Sequence, residues 1–252
     1  MEVSRTVPEW LGRRRAISGR RIGFVPTMGA LHRGHASLVE RCRKENETVV
    51  VSIFVNPTQF NDPKDLQRYP RTLDNDLAVL EGLGADEIFL PGVADLYPHG
   101  YRFRLEEEIV TQVMEGPRRP GFLQGVMTVV LKLLNLVRPD RAYFGEKDFQ
   151  QLKLITEMVK DFFIPTEIVL CPTVREASGL AESSRNLLLS PAARNKAPRL
   201  FHALTAAATP NDAKAILESE GFAVDYVEEH WGRRFAAAFL DDVRLIDNVP
   251  VL

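Results

Sequence analysis

The sequence predicts an α/β protein, a doubly wound parallel sheet followed by a second, smaller α+β domain. Three observations predict it. Short β-rich runs alternate with helical patterns from about residue 21 to residue 171. The strongest run, Thr48-Val-Val-Val-Ser-Ile-Phe-Val55, is apolar at nearly every position, as a strand covered on both faces must be. Near Ser190 the alternation gives way to helical segments and then to two further strand-like runs.

In chain order, Arg21–Thr27 reads as a buried strand ending in a Pro-containing turn. Residues 34–46 repeat apolar side chains at helical spacing, with Leu38, Val39 and Cys42 on one face. Thr48–Val55 is the next strand, and Leu73–Leu83 a helix stopped by Gly84. Glu87–Leu90 is a strand, Thr128–Val137 a helix ended before Pro139, Arg141–Phe144 a strand, Phe149–Phe162 a helix and Glu167–Cys171 a strand. This βαβα order argues for a parallel sheet with helices on both faces. Beyond it, Ser190-Pro191 opens a helix in N-cap then N1 fashion, and 211–219 is helical ahead of Gly221. Phe222–Val227 and Val243–Ile246 are expected as strands flanking a short helix. The domain boundary is placed between residues 187 and 188, giving domains 1–187 and 188–252.

Composition narrows the function. The 252 residues are 45% apolar and 26% charged, with a formal net charge of −2, the balance of an ordinary globular protein. Arg13–Arg15 and Arg20–Arg21 are short runs that read as solvated surface, so no nucleic-acid or membrane partner is expected. The longest apolar stretch, 125–137, contains Lys132 and Asn135 and falls short of the roughly 18 residues of a membrane span. The N-terminus shows no apolar h-region. Cys42 and Cys171 lie in no C-x-x-C pair. A cytoplasmic enzyme is the expectation.

Four polar motifs follow predicted strands, where open parallel sheets bind ligands. His32-Arg-Gly-His35 begins a helix, whose free N–H groups and dipole favour phosphate. Its two imidazoles could donate to charge building in a transition state, and Gly34 would admit a nucleotide close to the backbone. The bland alternative is a pair of surface histidines. Asn56-Pro-Thr-Gln59 supplies neutral amides suited to a hydroxyl- and carboxylate-bearing substrate, although Asn-Pro is also ordinary turn chemistry. Gly145-Glu-Lys-Asp148 offers a cation for phosphate and a carboxylate for Mg²⁺, with Gln151 one turn on; a plain charged helix start would look the same. Ser183-Ser-Arg185 could bind triphosphate or simply link domains. No nucleophilic Ser or Cys has a paired base, which fits direct attack of a substrate carboxylate on phosphorus.

These residues carry a resemblance. Val25-Pro-Thr-Met-Gly-Ala-Leu-His-Arg-Gly-His35, Phe54–Phe60, Arg68–Thr72, Pro139–Gln151, and Pro172–Glu176 through Ser183–Asn186 stand in order, and the match resumes at 222–227 and 244–248. The sequence resembles the pantothenate synthetase, or pantoate–β-alanine ligase, family of the H-x-G-H nucleotidyltransferase superfamily. The resemblance implies a Rossmann-like N-terminal domain for ATP and pantoate with a small C-terminal lid, Mg²⁺ dependence and a homodimer. It implies that pantoate attacks the α-phosphate of ATP and that β-alanine then displaces AMP from the pantoyl adenylate. Residue by residue, it puts ATP against Met28, Gly29, Ala30, Leu31, His32, Arg33, Gly34 and His35. It adds Gly145, Glu146, Lys147, Asp148, Val174, Glu182, Ser183, Ser184 and Arg185 to the nucleotide set, with Asp148 near Mg²⁺. His35, His32, Lys147, Ser183, Ser184 and Arg185 would act in catalysis. Gln59, Gln151, Asn56 and Met28 would meet pantoate, and Gln59 β-alanine as well.

Departures from the family pattern are Gly121-Phe122-Leu123 where Gly-His-Phe is usual, Glu182 in place of an apolar residue, Ser178 in place of Asp, and a compressed stretch between Val227 and Arg244. Two alternatives stand beside the ligase reading. An enzyme adenylylating a phosphate substrate would need cations where Gln59 and Gln151 are neutral. A non-catalytic nucleotide binder would be favoured by Phe122 and Glu182.

Overall fold

The computed structural model describes residues 1–251. Among the described residues the strands are β1 (Glu2–Ser4), β2 (Ile22–Thr27), β3 (Thr48–Ile53), β4 (Glu87–Phe89), β5 (Arg141–Gly145), β6 (Glu167–Cys171), β7 (Ala223–His230), β8 (Arg233–Leu240) and β9 (Val243–Pro250). Helices α1–α6 are Val7–Ala16, Arg33–Glu45, Pro63–Arg68, Leu73–Gly82, Val93–Leu96 and Glu115–Arg118. Helices α7–α11 are Phe122–Val137, Phe149–Asp161, Pro191–Lys196, Arg199–Ala206 and Pro210–Ser219. By packing, the chain divides into two compact units. One comprises Met1–Gly145 and Gln150–Cys171; the other comprises Glu146–Phe149 and the chain from Pro172 onward.

In the first unit six strands form one sheet in the order β1-β4-β3-β2-β5-β6, and every pairing is parallel. Alternate residues of the strands face opposite sides. Val25, Val49, Val51 and Ile88 pack with Val39 and Cys42 of α2 and Leu80 of α4. On the other side, Phe89 stacks on Trp10 of α1 with ring centroids 5.3 Å apart. The Trp10 indole N–H donates to Leu136 O of α7 at 2.9 Å. Helices therefore cover both faces, which is why the strands read as continuous apolar runs. The order reverses beside β2: the chain runs outward through β3 and β4, then returns to place β5 on the opposite side. That reversal opens the crevice where such sheets bind ligands.

Strands β2 to β6 and helices α2, α4 and α8 lie within a residue or two of their predicted bounds. Helix α7 starts six residues before the predicted Thr128. Strand β1 and helix α1 had no counterpart in the prediction. Two of the arginines of α1, Arg13 and Arg14, are engaged rather than merely solvated, while Arg15 is exposed. Arg13 pairs with Glu87 at 2.6 Å, and Arg14 donates to Val137 O and Arg138 O at the end of α7.

The second unit holds an antiparallel sheet, β7-β8-β9. Its core joins Ala197, Leu200, Leu204 and Leu217 of the helical segments to Ala236, Ala238 and Leu245 of the strands. The predicted short helix between β7 and β9 is instead strand β8. Trp231 and Gly232 take φ of 52° and 70°, the paired left-handed turn that matches strand twist. Residues 233–239 then pair on both sides. The Ala-rich composition favours helix, but a hairpin turn and burial of Ala236–Ala238 override it.

The division after Cys171 precedes the 187/188 boundary because the intervening segment folds onto β9. Arg175 makes a bidentate pair with Asp247 at 2.6 and 2.9 Å. Among the described residues no helix is long and apolar enough to cross a membrane.

Candidate active site

Adjacent parallel strands lie about 4.8 Å apart, so the carboxyl ends of β3, β2 and β5 sit side by side. They launch Asn56–Gln59, Met28–His35 and Gly145 respectively, with Gln151 in the first turn of α8.

The β2 loop is built first. Thr27 Oγ1 donates to Ser52 O of β3 at 2.8 Å and accepts from Gly29 N. Ala30 then adopts φ 49°, a left-handed conformation that costs a non-glycine residue energy. Asp76, 1% exposed in the first turn of α4, holds it there. Its two carboxylate oxygens accept from Ala30 N at 3.0 Å and Leu31 N at 2.8 Å, and Thr72 Oγ1 donates to it as well. A charged acceptor makes these the stronger class of hydrogen bond.

Helix α2 follows, capped by the two histidines. His32 is the N-cap, and its Nδ1 accepts from Gly34 N at 3.1 Å. His35 Nδ1 accepts from His32 N at 3.4 Å. The rings lie 4.0 Å apart, centroid to centroid. An imidazole whose Nδ1 accepts carries its proton, when neutral, on Nε2. The reciprocal cap thus sets both rings as Nε2–H donors at a helix N-terminus, where the backbone dipole already favours an anion.

The β3 loop separates its two amides. Asn56 is fully buried. Its Oδ1 accepts from Thr58 N, Thr58 Oγ1 and the Tyr97 hydroxyl, and its Nδ2 donates to Gly125 O. Burial pushes the Tyr97 hydroxyl above its ordinary range, so it stays a neutral donor. Asn56 is spent as a cap of the short 3₁₀ turn Pro57–Gln59. The side-chain amide of Gln59 enters none of these bonds. Behind it, Arg119 donates to Gln59 O at 3.4 Å, lies 3.4 Å from Glu115 and stacks on the Phe122 ring at 3.6 Å. Gln150 turns inward, holding Glu115 N, Val110 O and Val113 O, and so fixes the start of α8 from which Gln151 projects.

The second unit carries the remaining sequence-predicted residues. Glu146–Asp148 is a 3₁₀ turn continuous with β5, and Lys147 Nζ lies 3.9 Å from Asp148 Oδ2. Val174 O accepts from Glu182 N, and Arg175 bridges Ala181, closing a hairpin. Ser183 caps the 3₁₀ turn Ser184–Leu188 by accepting from Arg185 N; Ser184 is buried. Asp76, Arg119 and Gln150 were not singled out from sequence. Asp76 looks there like any acid in a first helical turn, because only the fold shows it buried against a loop 45 residues upstream. The two thiols lie outside this chemistry. Burial pushes Cys42 up to about 12 and raises Cys171 too, which keeps both protonated.

Residues 2–250 match the family model described as pantoate-beta-alanine ligase. A pantothenate synthetase of Bdellovibrio bacteriovorus is 55% identical over 250 residues, covering 99% of each chain. One from Legionella pneumophila is 49% identical over 256 residues, covering 98% of this chain and 99% of its own. Among solved structures, a pantoate-beta-alanine ligase of Francisella tularensis complexed with beta-gamma ATP and beta-alanine matches with a TM-score of 0.95. It is 42% identical, over 99% of this chain and 97% of that one. A pantothenate synthetase of Thermus thermophilus matches with a TM-score of 0.93 at 44% identity, over 99% of each chain. With near-complete coverage at these identities, the chain belongs to the pantoate-beta-alanine ligase family of enzymes.

Proposed function

We propose that this chain joins pantoate to β-alanine through a pantoyl adenylate made from ATP. A pantoate carboxylate oxygen bonds to the α-phosphorus, and the bond to the bridging oxygen breaks, releasing pyrophosphate with its electron pair. The β-alanine amine then bonds to the acyl carbon, loses a proton, and AMP departs.

The observation that carries the reading is the reciprocal cap of α2. His32 and His35 both spend Nδ1 on the backbone and so present Nε2–H at an anion-favouring helix start. Such donors stabilise charge that builds on an α-phosphoryl oxygen. Met28–His35, Gly145–Asp148, Val174 and Glu182–Arg185 are assigned to ATP, with Lys147, Ser183, Ser184 and Arg185 at its phosphates. Gln59, Gln151 and Met28 are assigned to pantoate, and Asn56 to holding the turn that presents Gln59.

Asp148 suits Mg²⁺: its carboxylate is 46% exposed, and Mg²⁺ takes one or two carboxylates while keeping water and phosphate oxygens. When bound, the ion would neutralise phosphate charge. A homodimer and a cytoplasmic location belong to the same reading through the family resemblance.

The test measures AMP release with pantoate and β-alanine omitted in turn. Full release should require both, and pyrophosphate release pantoate alone. His35→Ala should slow adenylate formation by about 100- to 1000-fold. Near-parent rates in that variant would overturn the assignment.

A further inference from the structure

The turn bearing Lys147 is held by strand β9, through a closed set of bonds that the reaction scheme does not use. Asn248 is 1% exposed. Its side-chain Nδ2 donates to two successive carbonyls, Glu146 O at 3.1 Å and Lys147 O at 2.8 Å. Its Oδ1 accepts from Arg233 Nε at 2.6 Å. Arg233 Nη1 in turn pairs with Glu146 Oε1 at 2.7 Å, with both side chains largely buried, and its guanidinium lies 4.8 Å over the Phe149 ring. Every polar atom of the Asn248 side chain is thus committed to the 146–149 segment or to the arginine that grips it. The preceding residue does the same for a second segment. Asp247 makes a bidentate pair with Arg175, and Arg175 donates to Gly179 O and Asn248 O.

We propose that Asn248 is a positioning residue for adenylate formation: with Arg233 it fixes the backbone from which Lys147 reaches the ATP phosphates, while Asp247 fixes the Val174 segment. This rests on the assignment of Lys147 to ATP. The logic is geometric. Lys147 has four rotatable side-chain bonds, so where its ammonium reaches depends on where its backbone is held. A planar amide donating to consecutive carbonyls sets both peptide planes at once. Misplacing a charged group by about 1 Å is enough to cost a large rate factor.

The test uses Asn248→Asp in the full-length protein. This nearly isosteric change replaces the donor NH₂ with an acceptor aimed at two carbonyls. Two half-reactions are read separately: pantoate-dependent pyrophosphate release from ATP, and ligation of supplied pantoyl adenylate to β-alanine. The first should fall by about 10- to 100-fold, the scale of a buried bond lost with its partners unsatisfied, with KM for ATP raised. The second should stay within about twofold. In a Lys147→Ala background the same substitution should cost less than about threefold, because residues acting through one group are not additive. Asn248→Ser, which keeps one donor, is read in the same way should Asn248→Asp not fold. The proposal is overturned if pyrophosphate release survives the substitution, if both half-reactions fall alike, or if the full loss recurs without Lys147. Failure of the ligase reading itself would look different, since the unmodified protein would then release no AMP.

Discussion

Asn56 and Gln59 are neutral amides three positions apart, and the fold gives them opposite uses. Asn56 is committed to Thr58, Tyr97 and Gly125, so the turn it caps presents Gln59 at a fixed place. Sequence alone could rank them only weakly, because Asn before Pro fits a turn as well as it fits a site. What separates them is the buried Tyr97, 41 residues away, which no local pattern reveals. Gly125 exposes the tolerance of this arrangement. A Cβ built there would stand 2.2 Å from Thr58 O, so α7 and the turn approach backbone to backbone. Gly125→Ala should destabilise the protein by about 1–3 kcal/mol through overpacking, measured by urea unfolding. It should also raise KM for pantoate by about tenfold, with KM for ATP less affected.

At the scale of elements, β2 to β6 were legible because the central strands are covered on both faces and each strand carries a short apolar run, such as Val49–Val51 and Ala142–Phe144. Strand β8 was not. Arg-Arg-Phe-Ala-Ala-Ala-Phe-Leu carries good helix formers, and its strand character comes from Trp231-Gly232 and from packing under α10 and α11. Ala236 and Ala238 are fully buried against Leu200, Leu204 and Leu217, so the small side chains set how closely the helices approach. Ala238→Val raises β-propensity yet should cost about 1–3 kcal/mol, because overpacking outweighs the backbone preference. A rise in Tm would reverse that ordering. The motif segments stand out in the sequence for a related reason: each is a short polar run directly after an apolar strand, where an open parallel sheet binds ligands. Asp76, Arg233 and Asn248 support those segments from distant elements and leave no such local signature.

For the molecule as a whole, the ordered motifs were enough to identify the family, and the near-complete matches to its members agree. Stability is a different matter, and one network gives it a pH dependence. Glu45, at the end of α2, accepts from Arg41, Arg141 and Tyr143, and Arg141 also pairs with Glu167. The Arg41 hydrogen bond, opposed by burial and aided by Tyr143, holds the Glu45 carboxyl below its ordinary 4.5. A carboxyl depressed on folding stabilises the native state above its unfolded value, and loses that contribution as pH falls through the folded one. The stability gap between the parent and Glu45→Gln should therefore be full above the ordinary carboxylate range and shrink as pH falls below it. A gap that widens on acidification would assign the wrong sign to this network.

The grip of Asp76 on Ala30 and Leu31 also has a kinetic signature. Amide protons in an irregular loop ordinarily exchange with solvent almost as fast as in a free peptide. These two are bonded to a buried carboxylate, so they can exchange only when α4 itself moves away from the β2 loop. In deuterated buffer, Ala30 and Leu31 should report the opening of α4 and keep pace with its own amides. Asp76→Asn should release one of the two first, since an amide offers a single acceptor oxygen where the carboxylate offers a pair.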